Sequence, residues 1–224
     1  MDIKEAIKAR HSVRHYTNQV IEPKKIEYLQ QLVNDYNALS GLNIQFITNE
    51  PRSFGESMLA RYGKFSGVTC YFAMIGTKSK TLDETVGYYG EKLVIEAQMM
   101  NLNTCWVGLS YKKISSVLSI NDNEKLVCVI SVGYGMTQGV DHKRKSVYQV
   151  SATPIDEGPE WYRQGVEAAL LAPTALNQQK FRFSLHEGNK VSAKAGIGFY
   201  SKVDLGIVKY HFEIGAGTEN FKWI

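Results

Sequence analysis

Arg10-His11-Ser12-Val13-Arg14-His15-Tyr16 near the start of the chain and Ala172-Pro173-Thr174-Ala175-Leu176-Asn177-Gln178-Gln179 near its end are the stretches on which this sequence turns. Each sets cationic or amide side chains in what reads as a loop or a helix edge. Neither is needed by a chain that has only to fold. Together they predict a site for a large, polar, anionic ligand.

The pattern outward from them mixes helices and strands. Residues 2–9 are expected to form a short helix that ends at the basic stretch. Pro23 is suited to a first turn, and Ile26, Leu29, Leu32, Val33 and Tyr36 then recur at helical spacing. Strands are expected at 43–48, at 69–75 (fully buried) and at 126–132. The clearest helix is expected at 83–101, with a short one near 111–118. Residues 51–67 are polar and read as a loop or short helix. After an acidic Pro/Gly linker at 154–159 come a helix to about Leu171, a hairpin of 181–185 with 189–193, and a further helix at 204–212. A loose echo of mixed aromatic and aliphatic spacing links 87–108 with 202–217. The last third offers too few elements for a core of its own. The expectation is therefore one α+β domain over 1–224, with a possible subdivision near 154–159.

With 224 residues the chain can bury one sizeable core, and 44% hydrophobic with 21% charged residues fits a globular protein. The net charge of +4 favours a phosphorylated ligand but is too small and too dispersed to imply nucleic acid. Cys70 and Cys128 lie in apolar runs and Cys105 stands beside Trp106, which suggests packed thiols in a reducing compartment. The N-terminus lacks the apolar core of a signal peptide, and no apolar run nears the roughly 20 residues of a membrane span. A cytoplasmic location is expected.

Arg10 and Arg14, four apart around Ser12, can clamp a phosphate or steady negative charge on a ring, a task suited to the forked guanidinium. A solvated basic turn with a helix cap is the plainer alternative. His11 and His15 find no partners that complete a metal set by spacing. Asn177, Gln178 and Gln179 follow the helix break at Pro173. Their amides can read both donors and acceptors of a heterocycle edge, or simply form a turn. Gly133-Tyr134-Gly135 after a strand lacks the third glycine and the acid of a dinucleotide loop. Lys143, Arg144 and Lys145 suit a phosphate or a solvated face. No nucleophile elbow or paired acid is present, so the simplest enzyme of this kind would let a cofactor carry the chemistry.

In these segments the chain resembles the flavin-dependent nitroreductase family. The stretch 10–16 resembles its opening cofactor motif, and 172–179 its Ala-Pro-Ser-x-x-Asn-x-Gln-Pro-Trp motif. Glu96-Ala97 with 101–108 resembles its Gly-Leu-Gly-x-x-Trp run, and Asp204-Leu205-Gly206-Ile207 a further piece of its thermophile-type branch. Two departures stand out. The Ala-Pro-Thr motif follows the Trp106 segment, as in an atypical branch, and Lys180 and Phe181 replace Pro and Trp.

The resemblance implies a nitroreductase-like fold, α+β with a central, mostly antiparallel sheet flanked by helices. It implies FMN held by Arg10, His11, Ser12 and Arg14, with Arg10 toward the phosphate and Arg14 toward the pyrimidine edge. Asn177 would share that edge with Gln179 as a weaker partner. Backbone at Val107, Gly108 and Leu109 would approach the ring, and Lys143 and Lys145 would form a second phosphate pair. The implied activity is ping-pong oxidation of NAD(P)H with reduction of an electron-poor acceptor such as a nitroaromatic or quinone, in a homodimer, without metal, nucleic acid or membrane. The alternatives are a flavin reductase of another substrate class, with an acceptor pocket built from segments such as 51–64, a non-enzymatic flavin or nucleotide sensor, and a nucleic-acid-binding protein.

Overall fold

The structure is a computed structural model that describes residues 1–54 and 64–224. In chain order its elements are α1 (Ile3–Ala9), α2 (Pro23–Ser40), β1 (Gln45–Ile47), β2 (Cys70–Thr77), α3 (Leu82–Met99), β3 (Asn103–Val107), β4 (Glu124–Gly133), α4 (Val147–Val150), α5 (Glu160–Ala169), β5 (Phe181–His186), β6 (Lys190–Ala195), α6 (Ser201–Ala216) and β7 (Lys222–Trp223). The chain divides into two compact units. Unit one holds residues 1–8, 83–91 and 141–224, and unit two holds 9–82 and 92–140. Residues 154–159 lie inside unit one. The class is the expected α+β.

Unit two is built on a four-stranded sheet in the order β1-β2-β4-β3, with every neighbouring pair antiparallel. β2 is buried from Cys70 to Gly76, which explains why it is apolar throughout rather than alternating. Val13, Tyr16, Tyr71, Ala73, Ile75, Val107 and Val129 share one core, and Phe46 stacks on Phe72 at 4.7 Å. α2 begins with Pro23 in its first turn and buries Leu29, Val33 and Tyr36. Each such side chain stabilises the fold by about 1.5–3 kcal/mol. The helix ends at Gly41, whose φ of 70° closes the last turn through its N–H to the Asn37 carbonyl.

Unit one pairs β5 with β6 antiparallel and β6 with β7 parallel. Its centre is aromatic: Phe183 stacks on Phe212 at 4.8 Å, and Phe221 and Trp223 close on Phe212 at 5.1 and 5.3 Å. α1 starts on a reciprocal cap, in which the Glu5 N–H donates to Asp2 Oδ1 and the Asp2 N–H to Glu5 Oε2.

Several expectations need correction. Residues 111–118 form no helix. Ser115 and Ser116 favour turns over helix interiors. Tyr111, Val117 and Leu118 pack on the core of unit two instead, with only a turn from the Val117 N–H to the Ile114 carbonyl. Asn103–Val107 (β3) and Lys222–Trp223 (β7) are strands beyond the expected ones, and β7 is too short for its pattern to announce it. The helix expected at 204–212 extends over Ser201–Ala216. Of the stretch 51–67, residues 51–53 form a 3-10 turn, and 55–63 lie outside the described residues.

Candidate functional site

The basic stretch 10–16 follows the last residue of α1 in the chain and, as expected, is a loop with no helix or strand of its own. In unit two it is tied to its neighbours by single bridges and backbone hydrogen bonds. The Val13 N–H donates to the Thr104 carbonyl at 3.0 Å, the Tyr16 N–H to Ser66 at 2.9 Å, and the Ser66 N–H returns to Arg14 at 3.0 Å. Ser12 and Thr104 form a parallel bridge, so the stretch runs alongside β3. Val13 and Tyr16 point into the core and anchor it. Arg14 is exposed, His11 and Ser12 are half-buried, and Arg10 is only 3% exposed.

Cys105 on β3 lies within the field of these charges. Burial pushes its thiol up, while the Arg14 charge, a hydrogen bond with the Ser12 side chain and the Arg10 charge pull the other way. The thiol therefore senses both guanidinium charges and the Ser12 hydroxyl. That thiol is buried and packed, as the sequence suggested. Behind it, the Ser131 hydroxyl donates to the Cys105 carbonyl and accepts from the Tyr16 hydroxyl at 2.8 Å. Burial holds the Tyr16 phenol well above its ordinary range, so it stays neutral. Val107 is buried at the end of β3, Gly108 is half-buried and Leu109 is exposed.

A second set of residues fixes this arrangement from the chain after β4. Asn103 accepts from the Gly135 N–H at 2.9 Å and donates from Nδ2 to Gln138. Gly139, at φ 77°, lies so near His11 that a Cβ there would stand 2.7 Å from the histidine Cβ. Ser131 and Gln138 escaped the sequence reading, and Asn103 entered it only inside the 101–108 run. The signal nearest to Ser131 and Gln138 is the Gly133-Tyr134-Gly135 run.

In unit one, Lys143, Lys145, Asn177 and Gln179 are brought together and bind one another. Asn177 Nδ2 and Gln179 Nε2 both donate to the Lys143 carbonyl, at 2.9 and 2.8 Å. The Lys145 N–H donates to Gln179 Oε1, and its ammonium to the Gln179 carbonyl at 2.7 Å. The turn carrying the amides is tight: Leu176, Asn177 and Gln179 all have positive φ. Asp204, in α6, ties it down by accepting from the Ala175 N–H at 2.9 Å and Gln178 Nε2 at 2.7 Å. Burial pushes this carboxyl up to about 6 against the pull of both bonds.

Among the described residues no group of three or more His, Cys, Asp or Glu could hold a metal, and no helix is long and apolar enough to cross a membrane. The donors in unit two are two guanidinium groups and a hydroxyl along one short segment, a set suited to an anion rather than to proton transfer.

A family model described as "Putative TM nitroreductase" matches residues 2–216. Among solved structures, a putative nitroreductase from Thermotoga maritima is similar over 96% of this chain and 83% of its own, at 21% identity and a TM-score of 0.69. A nitroreductase family protein from Streptococcus pneumoniae matches at 15% identity and TM-score 0.55, covering 68% of this chain and 100% of its own. A putative nitroreductase from Desulfovibrio desulfuricans, solved in complex with FMN, matches at 13% identity and TM-score 0.54, covering 69% and 98%. These likenesses establish the fold. No curated protein matches the sequence.

Proposed function

The chain belongs to the family described as "Putative TM nitroreductase", and on that footing we propose that it is an FMN-dependent oxidoreductase acting between NAD(P)H and an electron-poor acceptor such as a nitroaromatic or quinone. The late Ala172–Gln179 segment supports placing it in an atypical branch. The observation that carries the flavin reading is that Arg10, Ser12 and Arg14 sit on one short segment bridged to β3 at Ser12 and Thr104. The D. desulfuricans structure, of the same fold and in complex with FMN, supports it.

The residues fit such a group. A flavin mononucleotide presents a dianionic phosphate at one end and a ring that gains negative charge on reduction at the other. Two guanidiniums and a hydroxyl, on a loop held by backbone hydrogen bonds, suit that charge pattern. When bound, FMN supplies a carrier that accepts a hydride equivalent from NAD(P)H and delivers electrons onward. The chain's own work is to bind and to orient. Arg10 and Ser12 would hold the phosphate, and Arg14, which is exposed, would meet the charge on the pyrimidine edge. Val13 and Tyr16 keep all three in register through the core. Cys105, raised by burial, remains a neutral packed thiol and is no nucleophile.

The deciding experiment is the visible spectrum of the purified protein, before and after anaerobic NADH or NADPH. A flavin band that bleaches is the expected result. A colourless protein that takes up no added FMN would overturn the proposal. A band that persists under both nucleotides would reduce the protein to a flavin binder. Turnover with p-nitrobenzoate against a quinone then assigns the acceptor class.

A further inference from the structure

Unit one contains a cleft of about 630 Å³ that none of the residues discussed above as cofactor-binding lines. Its apolar surface comes from Ile7 on α1 and from Leu170 and Leu171 just after α5. Ala168 and Gly215 also line it, where α5 and α6 approach so closely that a Cβ on Gly215 would stand 2.5 Å from that of Ala168. The volume lies in the range of small-molecule sites, about 300–1,000 Å³.

The charge around it is uneven. Arg144 borders the cleft but is neutralised by Asp141, to which it donates two hydrogen bonds. Glu167 borders it too and is held by Arg163 at 3.0 Å. Lys4 and Lys8 are different. They stand four apart on α1, both exposed and both on the cleft, and neither ammonium has a hydrogen-bond or ion-pair partner among the described residues. Like charges at this spacing disfavour a helix. An anion between them would relieve the repulsion, and an apolar body attached to it would cover Ile7, Leu170 and Leu171.

We propose that this cleft binds a small amphipathic anion, an aromatic or medium-chain carboxylate, with its charge between Lys4 and Lys8 and its apolar body against the Leu170–Leu171 wall. Shape and charge select together. A neutral apolar molecule gains the wall but not the lysines, and a bare inorganic anion gains the lysines but not the wall. The inference goes beyond the flavin reading and stands or falls independently of it.

The test uses the full-length protein as purified, titrated with 2-naphthoate and with uncharged 2-naphthamide while backbone amide shifts are followed by NMR. Saturable shifts at residues 4–8 and 168–171 are expected with naphthoate, with naphthamide binding roughly tenfold more weakly for loss of the charge contacts. The K4Q/K8Q double variant should bind naphthoate as weakly as naphthamide, and K4R/K8R should retain the parent affinity. Both side chains are exposed, so an unchanged melting temperature checks the fold. Equal binding of acid and amide, shifts confined to other residues, or an unaltered K4Q/K8Q affinity would overturn the proposal.

Discussion

Gly87 in α3 and Gly206 in α6 meet reciprocally. A Cβ on Gly87 would lie 2.0 Å from the Val203 carbonyl oxygen, and one on Gly206 would lie 2.0 Å from that of Glu84. Each glycine therefore seats against the carbonyl three residues before the other. The two helices approach too closely for any side chain at either point, and the atoms in the way are backbone, which cannot swing aside.

Gly87→Ala and Gly206→Ala should each destabilise the protein by about 3 kcal/mol, the upper end of overpacking costs. Because either methyl forces the same separation, the double variant should cost well under the sum. Denaturant melts of the three variants decide it, and strict additivity would mean that the two positions are independent.

Glu91 Oε1 and His211 Nε2 lie 2.8 Å apart, within hydrogen-bond reach, with both side chains fully buried. The second ring nitrogen faces the Ala168 carbonyl, which can only accept, so Nδ1 carries a proton. Glu91→Ala strands a buried polar ring and should cost about 1–3 kcal/mol. Glu91→Gln, which keeps a hydrogen-bonding partner, should cost distinctly less in the same melts. Equal losses would show that packing rather than pairing matters here.

Asp204 is 2% exposed and its carboxyl is raised to about 6. A carboxyl raised by folding binds more protons in the native than in the unfolded chain between pH 4 and 6. Its contribution therefore weakens stability as pH rises through that window and is constant above it. The shift corresponds to at most about 3 kcal/mol. Asp204→Asn cannot ionise, so its stability relative to the parent should improve by up to that amount from pH 4 to pH 6.5. A parent-minus-variant difference that stays flat with pH would refute this.

Tyr16→Phe removes the donor to Ser131 while leaving the ring in the core. The expected loss is about 1 kcal/mol, the net worth of one buried hydrogen bond. If the variant instead proves as stable as the parent, the Ser131 hydroxyl is satisfied by its bond to the Cys105 carbonyl alone.

Arg14→Ala should weaken FMN affinity by roughly tenfold or more, since hydrogen bonds to charged groups are worth about 1.5–3 kcal/mol, and it should slow reduction by nicotinamide. Its exposure means that the melting temperature of the flavin-free protein should hold. Arg14→Lys should recover part of both losses. Parent-like occupancy and reduction rate in Arg14→Ala would remove this residue from the proposed role.

Much of the fold was legible because its signals are local. Pro23 with the Ile26–Tyr36 spacing marked α2, and the unbroken apolar run of β2 marked a buried strand. The helix at 111–118 failed because its apolar residues answer to the core of unit two, not to helical periodicity. The echo between 87–108 and 202–217 was faint in residue type, yet Gly87 and Gly206 within it meet in the crossing of α3 and α6.

The sequence by itself determined which residues carry charge and amides, where most helices and strands begin, and which family the motifs resemble. These depend on side-chain chemistry and on contacts a few residues apart. Only the tertiary structure decided that residues 10–16 run beside β3, that the Arg10 and Arg14 charges and the Ser12 hydroxyl act on Cys105, and that Asn177 and Gln179 bind the Lys143–Lys145 chain. Backbone pairing between distant segments set the first two. Desolvation, which no local pattern records, raised the carboxyl of Asp204 and kept the thiol of Cys105 neutral.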